Sequence, residues 1–201
     1  MNSRNLGNSG ELPWIGVFCF ILSLCLSFFN ASMVSAAGIF STDYFEQNVW
    51  SKNDIKKNHV SKILQWLKER NPKIRRQALG ECKYTLDRLV NHPQALMLCS
   101  FAEQELNRKG WLIPYFERAI RLHPKYGITW AQYGLYLANV LGKPKTGISK
   151  LEKAILVDPK LKPAYGWLAK IYYSIGQEEK AKEVRARALS HGIRLGDPSR
   201  P

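Results

Sequence analysis

The C-terminal half of this chain repeats one ladder of apolar, small and proline residues about every 34 to 37 positions, and this spacing constrains the fold more than any other feature. Ala119 with Ile120, Ala154 with Ile155 and Ala188 with Leu189 fall 35 and then 34 residues apart, each pair closing a stretch of helical periodicity. Prolines at 93, 124 and 159 cannot continue a helix, so they punctuate one stretch from the next. No single stretch is long enough to bury its own apolar face. A repeat length in this range therefore predicts a stacked helical array whose core is continuous from unit to unit.

The middle unit carries Trp130, Tyr133, Gly134 and Leu137, then Gly147, Leu151 and Pro159, with one extra residue in the turn at Gly142-Lys143-Pro144. The third carries Tyr165, Leu168, Ala169 and Tyr172, then Gly176, Ala181 and Ala188, with Arg185 where an aromatic is usual. The first is looser, with Leu96, Cys99 and Ser100, then Leu112, Phe116 and Pro124, and Glu103 in the place of a tyrosine. This pattern resembles the tetratricopeptide repeat, W-x2-L-G-x2-Y, A-x3-F, P. The resemblance implies an all-α fold, a right-handed α-α superhelix of antiparallel helix pairs, with units over 93–126, 127–161 and 162–195. Small residues such as Gly134, Ala169, Ala181 and Ala188 are expected where paired helices cross, with the aromatics filling neighbouring holes. Upstream, Val60, Ile63, Leu64 and Leu67 keep helical spacing. So do Ala78, Cys82, Leu86 and Leu89 after the break at Asn71-Pro72. Residues 54–92 thus read as a further pair, a degenerate or capping repeat, and 196–201 as a frayed tail.

The N-terminus follows different rules. Trp14 to Phe29 is a 16-residue run without charge. As a helix it spans roughly 24 Å, short of a bilayer core of roughly 30 Å unless extended to Val34. Val34-Ser35-Ala36 supplies the small residues that a signal peptidase requires. Residues 1–36 therefore read as either a signal peptide cleaved near Ala36 or a membrane anchor over 14–34, with 37–53 as a linker. The residues following Phe29 lack Lys and Arg up to Lys52, whereas the leader has Arg4, so both readings place the array outside the cytoplasm, in the periplasm or an equivalent compartment.

Removing the leader would take away only Arg4 and Glu11, leaving the array as basic as the full chain, whose net charge is +14. Lys and Arg cluster at 70–76, at 143–153 and along 180–187. That excess either keeps the surface solvated or attracts an anionic partner, such as lipid, polysaccharide or acidic protein. Nucleic acid is disfavoured, because no aromatic and basic interleaving and no zinc-finger or RNA-binding motif is present. Outside the leader only Cys82 and Cys99 remain, flanking the His92-Pro93 turn at comparable distances. They are expected either to pack as small apolar residues or to form a disulfide.

Catalytic machinery is not legible. His59, His92, His123 and His191 lack partners at metal-ligand spacing, and there is no phosphate loop, G-x-S-x-G or H-E-x-x-H motif. The expectation is a non-enzymatic interaction scaffold without cofactor or metal, possessing a groove for a partner peptide or helix and serving as an assembly factor of an envelope complex. The other reading is an electrostatic docking module for an anionic polymer or membrane. In arrays of the resembled type the first helix of each unit lines the concave groove. Here those faces present Met97, Phe101 and Gln104, then Leu135 and Ala138, then Gly166, Lys170 and Tyr173. With Met97, Phe101, Leu135 and Gly166 where carboxylate-gripping repeat proteins carry Lys and Asn, and only Lys170 suggestive of such a grip, the groove is expected to be apolar.

Overall fold

The computed structural model describes residues 42–46 and 49–196. The signal peptide or anchor, its cleavage site at Ala36 and the last residues of the tail lie outside the described residues. The described structure is all-helical. Helix α1 (Val49–Ile55) passes through a π-helical turn (Lys56–Val60) into α2 (Ser61–Lys68). There follow α3 (Pro72–Arg88), α4 (Pro93–Glu105), α5 (Ile113–Leu122), α6 (Gly127–Asn139), α7 (Pro144–Val157), α8 (Lys162–Ser174) and α9 (Glu178–Ser190). Among the described residues no helix is long and apolar enough to cross a membrane.

Local chemistry sets the starts of these helices. Pro72, Pro93 and Pro144 occupy first-turn positions, where a missing N–H costs nothing. The Asn71 side chain accepts from the Lys73 N–H at 2.9 Å, and His92 Nδ1 accepts from the Ala95 N–H at 3.3 Å. The first helix begins at Val49, ahead of Asp54, and a 3-10 turn at Tyr44–Glu46 lies before it in the chain.

Packing follows the ladder. One core cluster joins Ile63, Cys82, Leu86, Leu96, Leu112 and Phe116 to Tyr133 and Tyr136. A second joins Ala131, Leu151, Tyr165, Leu168, Val184 and Ala188. Helix α6 contributes one face to each cluster, which is how adjacent pairs bury what neither can bury alone. The tightest crossing lies between α6 and α7. A Cβ on Gly134 would sit 2.7 Å from the Gly147 carbonyl oxygen, and one on Gly147 would sit 2.5 Å from that of Gly134. Cys82 on α3 and Cys99 on α4 are joined by a disulfide, their Cα atoms 5.7 Å apart and both residues fully buried. The bond staples the second helix of one pair to the first helix of the next.

Residues 42–46 form a strap across two turns between units. The Thr42 N–H donates to the Arg88 carbonyl at 2.8 Å, and the Tyr44 N–H donates to Asn91 Oδ1 at 2.8 Å. Asp43 accepts from Asn91 Nδ2 at 2.7 Å, from the Phe45 N–H at 3.0 Å and from the Tyr126 hydroxyl at 2.7 Å. Burial pushes the Asp43 carboxyl up, but these bonds and nearby His123 outweigh it and hold it below its ordinary range. The Tyr44 ring covers His92 at 4.3 Å, and Phe45 covers Tyr126 at 4.1 Å.

His92 beneath the strap is 2% exposed, and burial pulls its imidazole from 6.5 down to about 4. The unfolded chain then takes up the proton first as pH falls. Stability is whole above about pH 6.5 and is lost as pH falls to about 4, by about 3 kcal/mol at full extent. Urea unfolding across this window should show that decline, and His92→Asn, which keeps a capping acceptor but cannot titrate, should flatten it. Equal slopes for the two proteins would refute the assignment.

Candidate partner-binding groove

Side chains of the first helices α4, α6 and α8 line one cavity of about 170 Å³. Met97, Phe101, Gln104 and Leu135 line it, with Trp167 from the third unit on the far wall and Phe116 and Tyr136 at the base. Met97 is 46% exposed and Phe101 is 50% exposed, unusual for side chains of that size in a folded array. Ser100, Gln104, Gln132 and Asn139 supply the polar part of the lining, and no charged side chain takes part. A second opening of about 450 Å³, lined by Leu64, Gln94 and Leu98, lies between α2 and α4.

The walls of the cavity are fixed from behind. Glu103, fully buried on α4, accepts from the Gly110 N–H at 2.5 Å and from the Leu112 N–H at 2.8 Å. It also accepts from the Tyr136 hydroxyl at 2.7 Å. One carboxylate therefore ties α4 to the loop before α5 and to α6 of the next unit. Burial, then Glu103, pushes the Tyr136 phenol well above its ordinary range, so it stays a donor. Phe116 stacks on Tyr133 at 5.0 Å, and burial followed by Glu117 pushes Tyr133 up to about 12. The disulfide on Cys99 holds α4 from its opposite face. An apolar cavity with supported walls is ready to receive a side chain without reorganising.

Other residues expected in the groove are placed differently. Ala138 packs into the α6–α7 crossing, with its Cβ 2.9 Å from where a Gly147 Cβ would stand. Gly166 faces Leu195, whose Cδ2 would lie 3.9 Å from a Gly166 Cβ, because the chain after α9 folds back onto α8. Lys170 and Tyr173 are exposed on α8 but do not line the cavity. Trp167 was not among the expected residues. Its signal was that it is the aromatic of α8's first turns that holds no ladder position. Among the described residues no group of three or more His, Cys, Asp or Glu could hold a metal ion.

No family model matches the sequence, and no curated protein matches it. Solved structures do. The chain resembles tetratricopeptide-repeat proteins. TTC0263, a thermophilic TPR protein of Thermus thermophilus, is 17% identical with a TM-score of 0.47, over 67% of this chain and 73% of that one. MamA is 19% identical with a TM-score of 0.48, over 73% of this chain and 95% of that one. Its AMB-1 form is 13% identical with a TM-score of 0.44, over 71% of this chain and 89% of that one. At these values the likeness adds nothing to the architecture, which stands on the chain's own helices and crossings.

Proposed function

We propose that this protein is a non-enzymatic scaffold that holds a partner peptide or helix in the groove formed by α4, α6 and α8. The observation that carries the reading is the uncharged cavity under Met97, Phe101, Leu135 and Trp167, half-open to solvent yet rigidly backed. Bulky apolar side chains over a supported pocket are what anchor residues of a partner bind. We further propose that the array works outside the cytoplasm, as an assembly factor of an envelope complex, either released by cleavage near Ala36 or anchored by residues 14–34. The buried Cys82–Cys99 bond supports this, since such bonds persist in oxidising compartments.

A photo-crosslinking residue at position 97 or 135, expressed in the native host, is expected to yield a discrete protein adduct that survives molar salt. In the Phe101→Asp background the adduct should fall about thirty-fold, the loss of one anchor contact of about 2 kcal/mol. No adduct at either position, or one indifferent to Phe101, would remove the groove from consideration. Intact mass of membrane and soluble fractions from the same cells separates the cleaved form from the anchored one.

A further inference from the structure

Helices α5, α7 and α9 are the second helices of successive pairs, so in a stacked array their last turns and the turns that follow them, at 123–126, 158–161 and 191–196, fall on one edge. Each last turn displays a leucine that the core does not take. Leu122 is 38% exposed, Leu156 72% and Leu189 61%. Near them in the sequence are the exposed cations Arg121, Lys160, Lys162 and Arg194. The acids of this edge are already engaged. Asp43 is buried in the strap, Glu46 pairs with Lys125 at 2.5 Å, and Asp158 accepts from the Lys160 N–H at 3.1 Å. The opposite edge, with the turns inside each pair, is also basic, with exposed Arg108, Lys109, Lys143, Lys145 and Lys180 beside Glu178 and Glu179, but in those turns only Ile175 is exposed among large apolar residues, at 37%, so the leucines are what set the first edge apart.

We infer that the edge carrying Leu122, Leu156 and Leu189 seats on an anionic lipid surface. These leucines stand at three separate helix ends and line neither the groove cavity nor the α2–α4 opening, so they offer an acidic protein nothing to grip one side chain with. A laterally mobile interface can accept all three at once, while the cations near them meet phosphates of the headgroups. Each cation near such a surface changes partition about five-fold at low salt, and the apolar side chains make the contact persist. The groove lies on α4, α6 and α8, so it remains open to its partner, and this inference does not rest on the groove reading.

The test is co-flotation of the full chain with vesicles of phosphatidylcholine alone and of phosphatidylcholine mixed with phosphatidylglycerol. Any affinity of the leader for bilayers as such acts on both and cancels in the ratio. The wild type is expected to prefer the mixed vesicles by about ten-fold or more at low salt. The triple variant Leu122→Glu, Leu156→Glu, Leu189→Glu and the pair Arg121→Glu, Lys160→Glu should each bring that ratio near one. Their thermal melts should stay unchanged, because every altered side chain is exposed. A wild-type ratio near one, a ratio unmoved by both variants, or equally tight binding of soluble polyglutamate would overturn the inference.

Discussion

Gly147→Ala is expected to destabilise the array by about 2 kcal/mol, although alanine is the better helix former by up to about 1 kcal/mol. The added Cβ would stand 2.5 Å from the Gly134 carbonyl oxygen and 2.9 Å from the Ala138 Cβ. A side chain can rotate away from such a contact, but two helix backbones can only separate. Separation would pull Leu151 from its buried seat beneath Gly134, so the packing loss exceeds the propensity gain. Gly80 on α3 supplies the control. A Cβ there meets nothing within 4 Å, so Gly80→Ala should stabilise by up to about 1 kcal/mol. Urea denaturation of the three proteins decides the matter. If Gly147→Ala is as stable as the parent, the close crossing is not what holds α6 to α7.

The second large effect is expected at the disulfide. Cys82 and Cys99 are 17 residues apart, and closing a loop of that size restricts the unfolded chain by about 3 kcal/mol. The Cys82→Ala, Cys99→Ala variant should lose about that much, roughly two powers of ten in the folding constant. Because both residues are fully buried, reductant should act on the native protein only at the rate of opening, and then all at once. Alkylation of the oxidised full chain, followed by mass measurement, should leave Cys82 and Cys99 unmodified until denaturant and reductant are added together. Two freely alkylated thiols at these positions would contradict the bond and remove the main support for an extracytoplasmic array.

The repeated units were legible because their residues answer to a single period: Ala119, Ala154 and Ala188 each close a helix that packs on its partner. Met97, Phe101 and Leu135 read in the sequence as outward positions on first helices, and all three line the cavity. Ala138 and Gly166 lie against Gly147 and Leu195 instead of in the cavity, since a small side chain suits a groove floor and a helix contact equally, and only packing tells which. Glu103 stood out in the sequence as a carboxylate in an aromatic's place. Its role depends on the loop at Gly110 to Leu112 and on Tyr136, which lies 33 residues away, so no local pattern reveals it. Spacing left the cysteines undecided, since a bond needs Cα atoms within about 7 Å and the sequence carries no distances. The strap escaped notice altogether. Five residues with neither helical nor strand periodicity look like linker, and their meaning lies wholly in what they touch.

That strap changes how the molecule should gain its structure. In a stacked array each unit touches only its neighbours, so folding can start anywhere and spread stepwise. Asp43 instead reaches Tyr126 across 83 residues, and Glu46 reaches Lys125 across 79, passing over the first two helix pairs to the threshold of the third. Loops that long close late and only around segments already in place. The N-terminal pairs are thus bound into one cooperative block, while α8 and α9 remain free to fray and re-form as the growing end of the solenoid.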